Sequence, residues 1–124
     1  MDATNRAKIL LVEDEAALAE NTRLLLNLQG FEVVWASTIG SALIALESDD
    51  VDVILLDLRL GEEDGASLLD AALACGRKLP PVIVVSAEPD YEIAIAAKVL
   101  QAVALLRKPC GALRMKAAIQ NALR

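Results

Sequence analysis

Four short apolar runs end in polar residues that could do chemistry together. Glu13 and Asp14 follow Ile9 to Val12, Asp57 follows Val51 to Leu56, Ser86 follows Val82 to Val85, and Lys108 lies just beyond Ala104 to Leu106. If the runs are strands of one open parallel sheet, these residues share its carboxyl edge, where such sheets bind ligands. Three carboxylates gathered there repel one another unless a hard cation neutralises them. Mg2+ fits best, because it takes a few carboxylate oxygens, a carbonyl and several waters in an octahedron. The Lys108 ammonium and the Ser86 hydroxyl add a second cation and a hydrogen-bond donor, completing a pocket for phosphoryl oxygens. Ser86 has no base beside it, whereas Asp57 carries an ionised oxygen able to form an aspartyl phosphate, so Asp57 is the expected nucleophile. Positioning and charge neutralisation would supply the catalysis.

Composition removes the main competitors. The chain of 124 residues has no histidine, which excludes Ser-His-Asp and Cys-His nucleophiles, His-ligated zinc and imidazole acid–base work. Cys75 and Cys110 are too few and too far apart for a Cys-x-x-Cys site or a disulfide framework. They read as small core residues, and with no signal peptide a reducing cytoplasm is expected. Twelve Lys+Arg against 18 Asp+Glu give a net charge of −6, which repels a phosphate backbone, so direct DNA binding is not expected. Phe31, Trp35 and Tyr91 are too few for base-stacking platforms and leave the core to Leu, Ile, Val and Ala. No apolar run reaches the roughly 18 residues that span a bilayer, so no membrane segment is expected.

The elements that must position these residues are legible as βα repeats. Strands are expected at Ile9 to Val12, Glu32 to Ala36, Val51 to Leu56, Val82 to Val85 and Ala104 to Leu106. The third and fourth lack polar alternation, as inner strands covered on both faces do. Helices are expected at Ala16 to Gln29, with Leu18, Leu25 and Leu28 at helical spacing and Gly30 as the cap; at Thr38 to Glu47; and at Gly65 to Cys75. A fourth starts at a capping Asp90 and runs to about Leu100, and a fifth from about Ala112 to Leu123 presents Ala112, Met115, Ile119 and Ala122 on one face. The architecture is (βα)5, an α/β doubly wound parallel five-stranded sheet, and length 124 corresponds to one domain.

Taken together, Leu10 to Glu15, Asp57 to Leu60 followed by Asp64-Gly65, Val84 to Ala87, and Lys108-Pro109 resemble the receiver domain of two-component response regulators, a CheY-like, flavodoxin-like fold. The resemblance spans nearly the whole chain and implies strand order 2-1-3-4-5. It makes Glu13 and Asp14 the metal-binding acidic pair and Asp57 the phosphoacceptor. Arg59 would lend its backbone carbonyl to the metal, Ser86 would be the switch hydroxyl and Lys108 the phosphoryl-pairing lysine, with a cis bond before Pro109. The implied donor is a phosphohistidine on a sensor histidine kinase or histidine phosphotransfer protein. With no output domain in the chain, the signal would pass by contact with a downstream protein through the face of helix four, strand five and helix five. The surplus of apolar residues around Ile93, Ile95, Val99 and Leu100 points to a partner surface there, or to a homodimer.

Three positions depart from that pattern. Gly61 replaces a usual Pro and should loosen its loop. Leu105 replaces the aromatic switch residue, and Gln101 replaces a common Gly before strand five. Leu105 raises a second reading, a degenerate receiver acting as a constitutive interaction module. A Mg-dependent phosphohydrolase would need a second acid where Arg59 stands, and a flavodoxin-like carrier would need a Ser/Thr/Gly-rich cradle where the first loop is acidic.

Overall fold

The computed structural model describes residues 6–87 and 90–124. In chain order it contains β1 (Lys8–Val12), α1 (Ala16–Leu28), β2 (Glu32–Ala36), α2 (Ile39–Ser48) and β3 (Val53–Leu56). There follow β4 (Arg59–Leu60), β5 (Glu63–Asp64), one 3-10 turn (Gly65–Ser67) and α3 (Leu68–Ala74). The chain then forms β6 (Val82–Ser86), α4 (Asp90–Leu100), β7 (Ala104–Arg107) and α5 (Ala112–Ala122).

Five strands pair in parallel in the order β2-β1-β3-β6-β7, which is the expected 2-1-3-4-5 once the small β4-β5 hairpin is set aside. Successive side chains of a strand point to opposite faces, so the uninterrupted apolar runs serve two cores. Leu10, Val12, Ile54, Leu56 and Val84 pack with α2, α3 and α4, while Ile9, Leu11, Val53, Leu55 and Ile83 pack with α1 and α5. Glu13 and Asp57 continue the second alternation, one step beyond their strands.

Several expectations needed correction. The stripe buried on α1 is Ala19, Thr22 and Leu26, not the one containing Leu25 and Leu28; Leu28 is 83% exposed. The two stripes lie about one residue, or ~100°, apart on the helix, and β2 and α5 pack against the side that carries Leu26. The third strand starts at Val53 because Asp52 turns out of the sheet, its N–H donating to the Lys8 carbonyl and its carboxylate accepting from the Lys8 N–H. The third helix begins as a 3-10 turn. Cys75 is exposed, which overturns its reading as a core residue, whereas Cys110 is partly buried and packs against the core on the α1 and α5 side. The capping role expected of the Asp90 side chain lies outside the described residues.

Local punctuation otherwise follows the sequence. Thr38 caps α2 in a reciprocal box with Ser41, and Gly30 leaves α1 at φ +95°. Gln101, where a glycine was expected, sits after α4 at φ +54°, the left-handed region that costs a side chain about 1 kcal/mol.

Candidate functional site

The carboxyl edge of the sheet brings the predicted side chains together. One carboxylate oxygen each of Glu13, Asp14 and Asp57 lies within 4.8 Å of the others. Lys108, carried past the end of β7, places Nζ 2.7 Å from Asp57 Oδ2 and 2.9 Å from Glu13 Oε1. The expected cis Lys108–Pro109 bond is present, and the Lys108 N–H donates to the Ser86 carbonyl at 3.0 Å. Ser86 closes β6 in register with Arg107 and is buried.

Each carboxylate is also held by backbone. Asp57 donates its own N–H to the Val12 carbonyl at 3.0 Å, and its Oδ1 accepts from the Arg59 N–H at 3.1 Å. Glu13 Oε2 accepts from the Glu15 N–H at 3.2 Å. Asp14, which is exposed, accepts from the Gly61 N–H at 2.7 Å. Far from loosening the loop, Gly61 ties it to the acidic pair. It sits at φ +62° and opens a two-residue turn between β4 and β5, and proline could neither adopt that φ nor donate. Below, the Gly65 N–H reaches the Leu58 carbonyl at 2.6 Å, and a Cβ on Gly65 would stand 2.3 Å from the Asp57 carbonyl oxygen. The backbone itself seals that side of Asp57.

Glu13 and Asp57 are only 4% and 8% exposed. Together with Lys108 they border a cavity of about 450 Å³ between α1 and α5, otherwise lined mostly by apolar side chains such as Leu55, Val85 and Met115. Burial raises the Glu13 pKa above the usual glutamate value, and Lys108 only partly offsets this because one ammonium serves two carboxylates. Burial would lower the Lys108 pKa, but the hydrogen bonds to Asp57 and Glu13 outweigh it and the net shift is upward.

This donor set suits Mg2+. Its atoms are hard oxygens, and three carboxylates with one ammonium leave two formal negative charges for a divalent ion to balance. Three carboxylate oxygens within 4.8 Å of one another are close enough to face a single ion.

Comparison with known proteins places the chain in a family. The family model for the response regulator receiver domain matches residues 9–120. The chain belongs to that family. It is 37% identical over 111 residues to protein-glutamate methylesterase/protein-glutamine glutaminase 3 of Rhodospirillum rubrum, covering 87% of this chain and 30% of that protein. It is 36% identical over 121 residues to the alginate biosynthesis transcriptional regulatory protein AlgB of Pseudomonas aeruginosa, covering 96% of this chain and 27% of that one. The chain thus spans less than a third of either relative. Among solved structures, the response regulator receiver domain protein from Clostridium thermocellum superposes with TM-score 0.82 at 32% identity, with 94% of each chain covered. The response regulator receiver protein from Pseudomonas putida gives 0.84 at 28% identity, covering 94% of this chain and 97% of that one. No helix among the described residues is long and apolar enough to cross a membrane.

Of the residues expected at the site of this receiver domain, Glu13, Asp14, Asp57 and Lys108 meet directly. Arg59 contributes an N–H to Asp57, and Ser86 flanks the cluster on β6. Sequence reasoning missed Trp35, whose indole N–H donates to the Glu13 carbonyl at 2.7 Å. Only the β1-β2 register, which sets Leu11 against Trp35 and Val12 against Ala36, brings that ring to the acidic loop.

Proposed function

We propose that this receiver domain is a phosphorylation-controlled switch in a two-component system, with Asp57 as phosphoacceptor. A carboxylate oxygen of Asp57 attacks the phosphorus of a phosphohistidine on a sensor kinase or phosphotransfer protein. The new O–P bond forms as the P–N bond breaks, and the electron pair leaves with the imidazole, which takes a proton from solvent. The observation that carries this reading is the Lys108 ammonium held between Asp57 and Glu13, poised to follow the charge as it moves onto phosphoryl oxygens. Glu13, Asp14, Asp57 and the Arg59 carbonyl would hold Mg2+, which supplies further neutralisation of that charge. Ser86, on the strand beside Lys108, would be the hydroxyl that turns toward the phosphoryl group.

Readout would pass through α4, β7 and α5. Tyr91, Ile95, Val99, Val103, Leu105 and Leu113 are exposed apolar residues there. Every Asp and Glu of the chain lies at or before Glu92, whereas six of its twelve Lys and Arg residues lie after it. Across a two-fold axis the cationic part of this face would repel itself, which favours an acidic partner over a second copy.

The test is to incubate the protein with Mg2+ and a small acyl phosphate and weigh it intact. One added phosphate on the wild type, absent from Asp57→Asn, supports the proposal. Absence of any base-labile adduct overturns it in favour of a constitutive interaction module. That second reading draws on Leu105, an aliphatic residue 45% exposed where the family's aromatic switch residue stands.

A further inference from the structure

Glu13 is gripped by two consecutive residues of the edge strand β2. The Ala36 carbonyl accepts the Glu13 N–H at 3.0 Å, and the Trp35 indole donates to the Glu13 carbonyl at 2.7 Å. The second bond acts on the peptide plane that joins Glu13 to Asp14. Because that plane is rigid, holding its oxygen sets the direction in which the chain leaves β1 toward Asp14. Trp35 is itself 42% exposed, so core packing alone gives little reason for a tryptophan at this position. Its polar atom, in contrast, lies at normal hydrogen-bond distance from the loop that carries two of the three clustered carboxylates.

We propose that Trp35 is a positioning residue for the acidic pair, its indole N–H holding the Glu13 carbonyl so that Glu13 and Asp14 meet Asp57 around one cation. This inference rests on the metal role proposed above for those carboxylates. It also makes Trp35 a built-in reporter, because a ring bonded to the metal loop should change its emission when the loop is loaded.

Trp35 is the chain's only tryptophan. Global replacement of tryptophan by benzothienylalanine, which has sulfur in place of the indole N–H, therefore alters this position alone and preserves ring shape. Calorimetric Mg2+ titration should show affinity weakened roughly two- to tenfold, the loss expected for one hydrogen bond. In EDTA the melting temperature should hold, while hydrogen exchange of the Glu15 amide, which is bonded to the Glu13 carboxylate, quickens. Trp35→Phe should weaken Mg2+ to a similar extent. Unchanged affinity in both variants, beside a wild type that binds Mg2+, overturns the role of Trp35 alone, as does a fall in melting temperature without a fall in affinity. A wild type that takes up no Mg2+ defeats the metal reading and this inference with it.

Discussion

The Gly61 N–H and Asp14 Oδ2 lie 2.7 Å apart, joining the turn of the β4-β5 hairpin to the acidic loop after β1. Gly61→Pro removes both the donor and the φ of +62°. It should weaken Mg2+ binding roughly tenfold and cost ~2 kcal/mol of stability. Gly61→Ala keeps the donor, and its Cβ would sit 3.9 Å from Asp14 Oδ2 without a clash. That variant should lose ~1 kcal/mol for the left-handed backbone yet bind Mg2+ normally. Calorimetric titration and urea unfolding of the pair separate the two effects.

Lys108 is the counter-charge for two buried carboxylates. Lys108→Met should destabilise the metal-free protein by ~2 kcal/mol, somewhat less than for a fully buried pair, because part of the side chain reaches water. Mg2+ should restore most of that loss by taking over the neutralisation. Urea unfolding with EDTA and with saturating Mg2+ checks both statements.

Burial raises the Glu13 pKa above its ordinary 4.5, so the folded protein binds this proton more tightly than the unfolded chain does. The Glu13 contribution to stability is therefore present below the ordinary value and is lost as pH rises through the raised one. Urea unfolding in EDTA from pH 4 upward should show this fall, and Glu13→Gln should lack it. Mg2+ affinity should run the other way, weakening on acidification while the folded carboxyl takes up its proton.

Gln101 occupies a left-handed position at φ +54°. Gln101→Gly should raise stability by up to ~0.5 kcal/mol, the relief of the side-chain penalty less the added freedom of the unfolded chain. Acyl phosphate labelling should be unchanged. A thermal melt beside the wild type measures the gain.

The five-stranded sheet was readable because Val53 to Leu56 and Val82 to Val85 have no polar break, and only a strand covered on both faces tolerates that. The cluster was readable for a related reason: a polar residue ending such a run must lie at the sheet edge, as Asp57 does. What stayed hidden depends on pairing in space. The β4-β5 hairpin has two residues per strand, too few for a periodic signal. The Gly61 and Trp35 contacts each join segments more than twenty residues apart. On α1, Leu18, Leu25 and Leu28 were as periodic as the true buried stripe, and only the positions of β2 and α5 decide between them.

The confinement of all Asp and Glu residues to the chain up to Glu92 also has a kinetic side. A body with charge displaced toward one end is turned by the field of another charged surface before the two touch, so encounters begin already oriented. That alignment acts over about one Debye length, ~8 Å in physiological salt, so ionic strength governs how often this domain meets a partner the right way round.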